Sequence, residues 1–141
     1  MQKCDLLIKG ADVLINSGEL RGNVDIAIAD GRILAVDADL AQAYEADEVL
    51  DGRYKLFMPG LVDSHMHTGQ QLLKGLVLDA KPIIWTRVML PFESTLTPEK
   101  MRLSAQAAAL EMIKSGTAGF IDAGSYFMED AAAVYETSGL R

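Results

Sequence analysis

The chain has 141 residues, half of them apolar, and carries a formal net charge of −7 at pH 7. That length suffices for one packed core of ordinary domain size and is short for many enzymes. The acidic balance and the lack of any Lys/Arg run argue against a nucleic-acid partner, which needs clustered cations to release counterions. Cys4 is the only cysteine, so no intrachain disulfide and no multi-cysteine zinc site can form. The first residues lack an apolar core with a small-residue cleavage site. No stretch reaches the ~18 uninterrupted apolar residues of a membrane span. The expectation is a cytoplasmic protein with no membrane partner.

The opening stretch predicts short strands and tight turns. DLLIKGADVLI reads as two apolar runs broken by Gly10. NVDIAIADGRILAVDA places Asp30-Gly31 between two apolar runs, a strong hairpin signal because a type I′ turn needs positive φ at both central residues. EADEVLDGRYKLFMPG repeats the signal with Asp51-Gly52, so the region is expected to be a small antiparallel β unit.

After Gly60 the character changes. LVDSHMH is strand-like, and a helical stretch is expected somewhere between Gln70 and Glu93. The next helix is better marked. Thr97 can cap it, Pro98 suits its first position and Glu99 suits the positive end of its dipole, although Lys100 stands where a capping box wants Glu. Met101, Ala105, Ala108, Ala109 and Met112 fall on one face, and Gly116 ends it. TAGFID reads as a strand and MEDAAAVYETSG as a helix stopped by Gly139. Helix alternating with strand predicts an α/β fold with a parallel sheet.

His65 and His67 are the only histidines in the chain. A strand sends residues i and i+2 to the same face, roughly 6.5 to 7 Å apart at Cα, so both imidazoles can converge on one ion. Zinc accepts neutral imidazole nitrogens at ~2.0–2.1 Å. Met66 points the other way, towards covering helices. Two histidines at this spacing also occur without metal. What raises the pair here is the apolar run before it, the glycine at 69 and its being the whole histidine supply. Two ligands do not make a catalytic site, and the chain has no third histidine and no H-E-x-x-H run. The remaining ligands are carboxylates of this chain or lie in sequence beyond it.

MPGLVDSHMHTGQQLLKG, residues 58–75, resembles the opening metal motif of the amidohydrolase superfamily, and PFESTLTPEKMRLSAQAAALEMIKSGTAGFID resembles the segment that follows it in one branch. That branch holds the methylthioadenosine/S-adenosylhomocysteine deaminases and the triazine chlorohydrolases. The resemblance implies part of a small β-sandwich over residues 1–57. Residues 58–141 would be the first strands and helices of a metal-dependent (β/α)8 TIM-type barrel, with His65 and His67 at the end of its first strand and TAGFID as its second. A complete barrel takes ~250 residues, so the chain is expected to be an N-terminal portion that stops where the third strand begins and is inactive alone. The implied cofactor is one divalent ion, zinc by ligand type with iron as the alternative. The other ligands and the proton-transfer groups are implied to lie outside this chain, which therefore supplies no catalytic residue of its own.

The implied reaction is hydrolytic removal of an amino group from a purine-like ring, with an adenosine thioether such as methylthioadenosine or S-adenosylhomocysteine as substrate. The alternatives are an aminohydrolase or chlorohydrolase acting on a guanine, pterin or triazine ring, and a non-catalytic fragment. The expected partners are thus a small molecule and, as an option, further copies of the chain. In related aminohydrolases a glutamine at the place of Gln70 faces the heterocycle; otherwise it is a solvated helix-starting residue. Lys74 stands where the family often has Arg, which weakens a bidentate contact there. Glu93, in a Pro-x-Glu context, matches a carboxylate that accepts from ribose hydroxyls, or else is an exposed loop carboxylate. Trp85 either walls the pocket or belongs to the core. Asp63 and Asp122 are either orienters of imidazole N–H groups or satisfied structural carboxylates. Cys4 is expected to be inert packing.

Overall fold

The structure is a computed structural model describing residues 1–15, 18–78 and 83–141, and it divides into two compact units, Met1–Pro59 and Gly60–Arg141. Among the described residues no helix is long and apolar enough to cross a membrane.

The first unit is one five-stranded sheet. Strand β1 (Gln2–Ile15) runs at its centre, with β2 (Glu19–Ala29) on one edge and β3 (Arg32–Asp37) beyond it. Both of these pairings are antiparallel. The β2–β3 turn is the expected one: Asp30 and Gly31 have φ of 52° and 68°, the left-handed values a type I′ turn requires. Apolar residues of β1 feed two separate clusters. Cys4 and Leu7 pack with Ala27 and Leu40, while Ile8, Ala11 and Val13 pack with Ile26.

Two expectations fail in this unit. Gly10 does not break the first strand. It sits in a bulge of β1 with φ 68°, and its N–H is held by the buried carboxylate of Asp25 at 2.9 Å, so the strand continues through it. Nor is Asp51-Gly52 a hairpin. Strands β4 (Tyr44–Asp51) and β5 (Leu56–Phe57) both run parallel to β1, pairing with its two ends, so the sheet is mixed and the chain does not reverse between them. The glycine is needed there for close approach. A Cβ on Gly52 would stand 2.9 Å from Ala11 Cβ, Ile8 Cγ2 and the Lys9 carbonyl oxygen, to which its own N–H donates. The Asp51 side chain is occupied locally, gripping the Arg53 guanidinium and backbone N–H.

The second unit starts with β6 (Leu61–Met66), which pairs in parallel with β7 (Thr117–Asp122). The helical stretch expected between Gln70 and Glu93 is present at the end of that segment, and a further short helical piece precedes it. A 3-10 segment spans Thr68–Leu73, a π-helical turn covers Trp85–Met89, and α1 (Leu90–Glu93) follows directly, residues 79–82 lying outside the described residues. Helix α2 (Pro98–Ser115) begins where expected, with Thr97 Oγ1 accepting from Lys100 N at 3.3 Å, and ends at Gly116. Its face of Met101, Ala105, Ala108, Ala109 and Met112 is buried, together with Met66 and Leu96 and with Ala131 and Tyr135 of α3 (Met128–Ser138). After α3 the chain returns to β7: Arg141 N donates to Ala118 O and Phe120 N to Arg141 O, the bonding of a parallel neighbour.

Gly52→Ala is expected to destabilise the first unit by about 1–3 kcal/mol through overpacking against β1. Its denaturation midpoint should fall, and an unchanged midpoint would show that β1 and the Gly52 turn are not in close contact.

Candidate functional site

At the end of β6 the chemistry is separated from the core, Met66 being the one buried residue of the strand. Met66 is 7% exposed and packs under α2, while His65 is exposed and His67, which leaves the strand in extended conformation, is half-buried. The two imidazoles meet edge to face, with ring centroids 4.9 Å apart and Nε2 atoms 3.1 Å apart. Two nitrogens bound tetrahedrally to one zinc at ~2.0–2.1 Å would lie about 3.3 Å apart, so the pair is set to within a few tenths of an ångström for a shared ion. With Nε2 used for a ligand bond, the proton of each neutral ring sits on Nδ1. The buried Nδ1 of His67 has no hydrogen-bond partner among the described residues. No group of three His, Cys, Asp or Glu side chains that could hold a metal is found among those residues.

Trp85 is 43% exposed and is not core. Its ring lies 5.6 Å from that of His67. Beside it is a cavity of about 370 Å3 lined by His67, Gln70, Gln71, Leu73, Ile84 and Met89 among others. That volume falls in the range of small-molecule sites. A larger cleft of about 730 Å3 lies in the first unit, but it holds no histidine and is far less suited to this chemistry.

Gln70 lines the cavity, whereas Glu93 does not. Glu93 is 5% exposed, which removes the reading of an exposed loop carboxylate. Its Oε1 accepts from Gln70 Nε2 and its Oε2 from Ser125 Oγ at 2.7 Å. Three segments are thereby tied together: the turn after β6, the end of α1 and the loop after β7. Gly69 permits the approach, because a Cβ there would stand 2.6 Å from Ser125 Oγ.

The two aspartates take structural parts. Asp63 Oδ1 accepts from His65 N at 3.1 Å, and Asp122 accepts from Thr68 N, Thr68 Oγ1 and Gly124 N. Neither bonds an imidazole nitrogen. Lys74 pairs with Glu111 of α2 across the surface. Thr68, Ser125 and Tyr135 were not anticipated from sequence. Their partners lie 32 to 67 residues away, a distance at which no local spacing rule operates.

Residues 56–141 match the Amidohydrolase family. The 5-methylthioadenosine/S-adenosylhomocysteine deaminase of Halothermothrix orenii is 39% identical over 144 residues, covering 96% of this chain and 33% of that protein. The 5'-deoxyadenosine deaminase of Methanothrix thermoacetophila is 36% identical over 137 residues, covering 96% and 32%. Among solved structures, an adenosine deaminase from Xanthomonas campestris with bound zinc superposes with a TM-score of 0.86 at 26% identity, over 99% of this chain and 33% of that one. Atrazine chlorohydrolase from Arthrobacter aurescens complexed with zinc gives 0.80 at 20% identity over 96% and 34%, a likeness of fold alone. The chain spans about a third of the length of the curated relatives it matches.

Tyr135 carries a testable consequence of this packing. Burial pushes its phenol above the ordinary value, the Thr68 hydroxyl opposes this when it turns its proton to the phenolate, and the Asp122 charge adds to it. A folded pKa above the unfolded one favours the neutral form. The associated stability is therefore fully present below about pH 10 and is lost as pH rises through the higher folded value. The stability difference between wild type and Tyr135→Phe should narrow as pH rises above about 10. A gap that stays constant over that range would remove the coupling.

Proposed function

This chain belongs to the amidohydrolase family, and from that membership we propose that the whole protein is a metal-dependent hydrolase removing the amino group from the purine ring of an adenosine thioether, such as methylthioadenosine or S-adenosylhomocysteine. Residues 1–57 are read as part of a small β-sandwich, and residues 58–141 as the first strands and helices of a TIM-type barrel. The observation that carries the reading is the 3.1 Å approach of the His65 and His67 Nε2 atoms at the C-terminal end of β6, beside a cavity sized for a heterocycle. Barrels of this class place their chemistry at that end of the strands.

His65 and His67 are the residues that would hold a divalent ion, zinc being favoured by ligand type. Bound there, the ion supplies a water acidified enough to act as nucleophile near neutral pH. The chain's own side chains then bind and orient. Trp85, whose ring lies 5.6 Å from that of His67, offers a flat face to a ring beside that imidazole. Gln70 gives one amide N–H to Glu93, which leaves its second N–H and its carbonyl oxygen for a ring edge. Glu93 has accepting capacity beyond its two bonds, available to the hydroxyls of a ribose. A second reading, with a guanine, pterin or triazine ring as substrate, draws support from Gln70 lining the cavity while Glu93 stands outside it.

The full-length protein is expected to purify with roughly one divalent ion per chain, and His67→Ala to lose most of it. Unchanged metal content in that variant would end the assignment.

Glu93→Gln separates the two substrate readings. The Ser125 hydroxyl can turn to accept from the new amide, so local structure should survive. A direct ribose contact is expected to cost tenfold to a hundredfold in kcat/KM, mostly as raised KM, consistent with ~1.5–3 kcal/mol for charge-assisted bonds. A 2′,3′-dideoxy substrate should then lose a similar factor with wild type and little more with the variant. Full activity of Glu93→Gln on methylthioadenosine would put the ring-only reading ahead.

A further inference from the structure

We propose that Thr68 is a positioning residue for His67, its buried hydroxyl fixing the direction in which the imidazole is presented to the ion. The inference rests on the reading of His67 as a ligand.

Thr68 follows His67 directly and is 0% exposed, and its polar groups are bound between them to β7, α2 and α3. Its N–H donates to Asp122 Oδ2 at the end of β7 at 2.9 Å. Its carbonyl accepts from Ser104 Oγ of α2, itself 0% exposed, at 2.6 Å. Its hydroxyl touches Asp122 Oδ2 and, at 2.7 Å, Tyr135 OH of α3.

The direction of the hydroxyl bonds follows from valence. A threonine hydroxyl has one proton, and an ionised carboxylate can only accept. The Thr68 proton therefore goes to Asp122, and Tyr135 must donate to Thr68 Oγ1. The result is one polarised relay, Tyr135 to Thr68 to Asp122, closed at its far end by Gly124 N on the other carboxylate oxygen.

This relay addresses a need that the ligand itself leaves open. A metal-binding histidine is usually oriented by a carboxylate or carbonyl on its second ring nitrogen. Among the described residues His67 Nδ1 has no such partner. Orientation then falls to the backbone. His67 is the last extended residue before the 3-10 segment, with φ −134° and ψ 97°, so locking the next residue on three sides fixes its ψ and the line of its Cα–Cβ bond. The 3.1 Å approach of the two Nε2 atoms depends on that line.

The test uses the full-length protein stripped of metal, with zinc affinity read by competition against a chromophoric chelator and melting of the apo-proteins read in parallel. Thr68→Val keeps the shape and removes the hydroxyl. Zinc binding should weaken about tenfold to a hundredfold, as for other residues that orient ligands. Thr68→Ser restores the hydroxyl and should stay within about threefold of wild type on the same scale. Tyr135→Phe keeps the ring, which packs on Phe120, and removes only the donor. It should weaken binding several-fold and carries the test should Thr68→Val not fold. Wild-type affinity in Thr68→Val, or in Tyr135→Phe where only that variant folds, overturns the proposal. Equal losses in Thr68→Ser, which keeps the hydroxyl, and in Thr68→Val also overturn it, because the hydroxyl would then not be what sets the affinity. If His67→Ala binds zinc as tightly as wild type, the ligand reading fails and this proposal with it. Loss in His67→Ala beside full affinity in Thr68→Val removes this proposal alone.

Discussion

The two-residue repeat of a β-strand is the constraint on which the site depends. Along β6 it sends Met66 into the core under α2 and turns His65 and His67 to the opposite side. The same geometry buries one side chain and presents its two neighbours, so the strand is anchored by the residue between the candidate ligands. A slip of one residue in the β6–β7 pairing would bury an imidazole and expose Met66. Register is therefore held by a cost on both faces.

Around this strand, buried polar side chains take up the work of alignment. Asp122 and Glu93 accept mainly from neutral donors: amide, hydroxyl and backbone N–H groups. Each ties segments that are distant in sequence, Asp122 joining the turn after β6 to β7 and Glu93 joining that turn to α1 and the loop after β7. Carboxylates satisfied in this way specify geometry, because each lost partner leaves a polar atom unpaired, at the greatest cost for the buried Glu93. The surface ion pair of Lys74 with Glu111 contributes far less to alignment, both side chains being more than half exposed.

The features legible in the sequence are those set by local rules. Thr97, Pro98 and Gly116 bound α2, and its small apolar face follows the helical repeat. Asp30-Gly31 turns as its φ requirements dictate. Asp51-Gly52 shows the limit of such rules, since the same dipeptide serves there as a gap for β1 to approach, a need created by a strand some forty residues earlier. Gly10 meets the same limit, as a bulge pinned by Asp25 looks like a break when only sequence neighbours are considered. The His65–His67 pair was legible because its spacing and the strand repeat coincide. Thr68, Ser125 and Tyr135 were not, because their meaning lies in partners brought together only by the β6–α2–β7–α3 arrangement.

The proposed function requires one ion between His65 and His67. X-ray absorption at the zinc edge of the zinc-loaded, full-length protein tests it most directly, since imidazole rings give a recognisable outer-shell signature. The spectrum should show nitrogen ligands at about 2.0–2.1 Å and an imidazole contribution that falls when His65 is replaced by alanine. A spectrum that is the same in wild type and His65→Ala would contradict it.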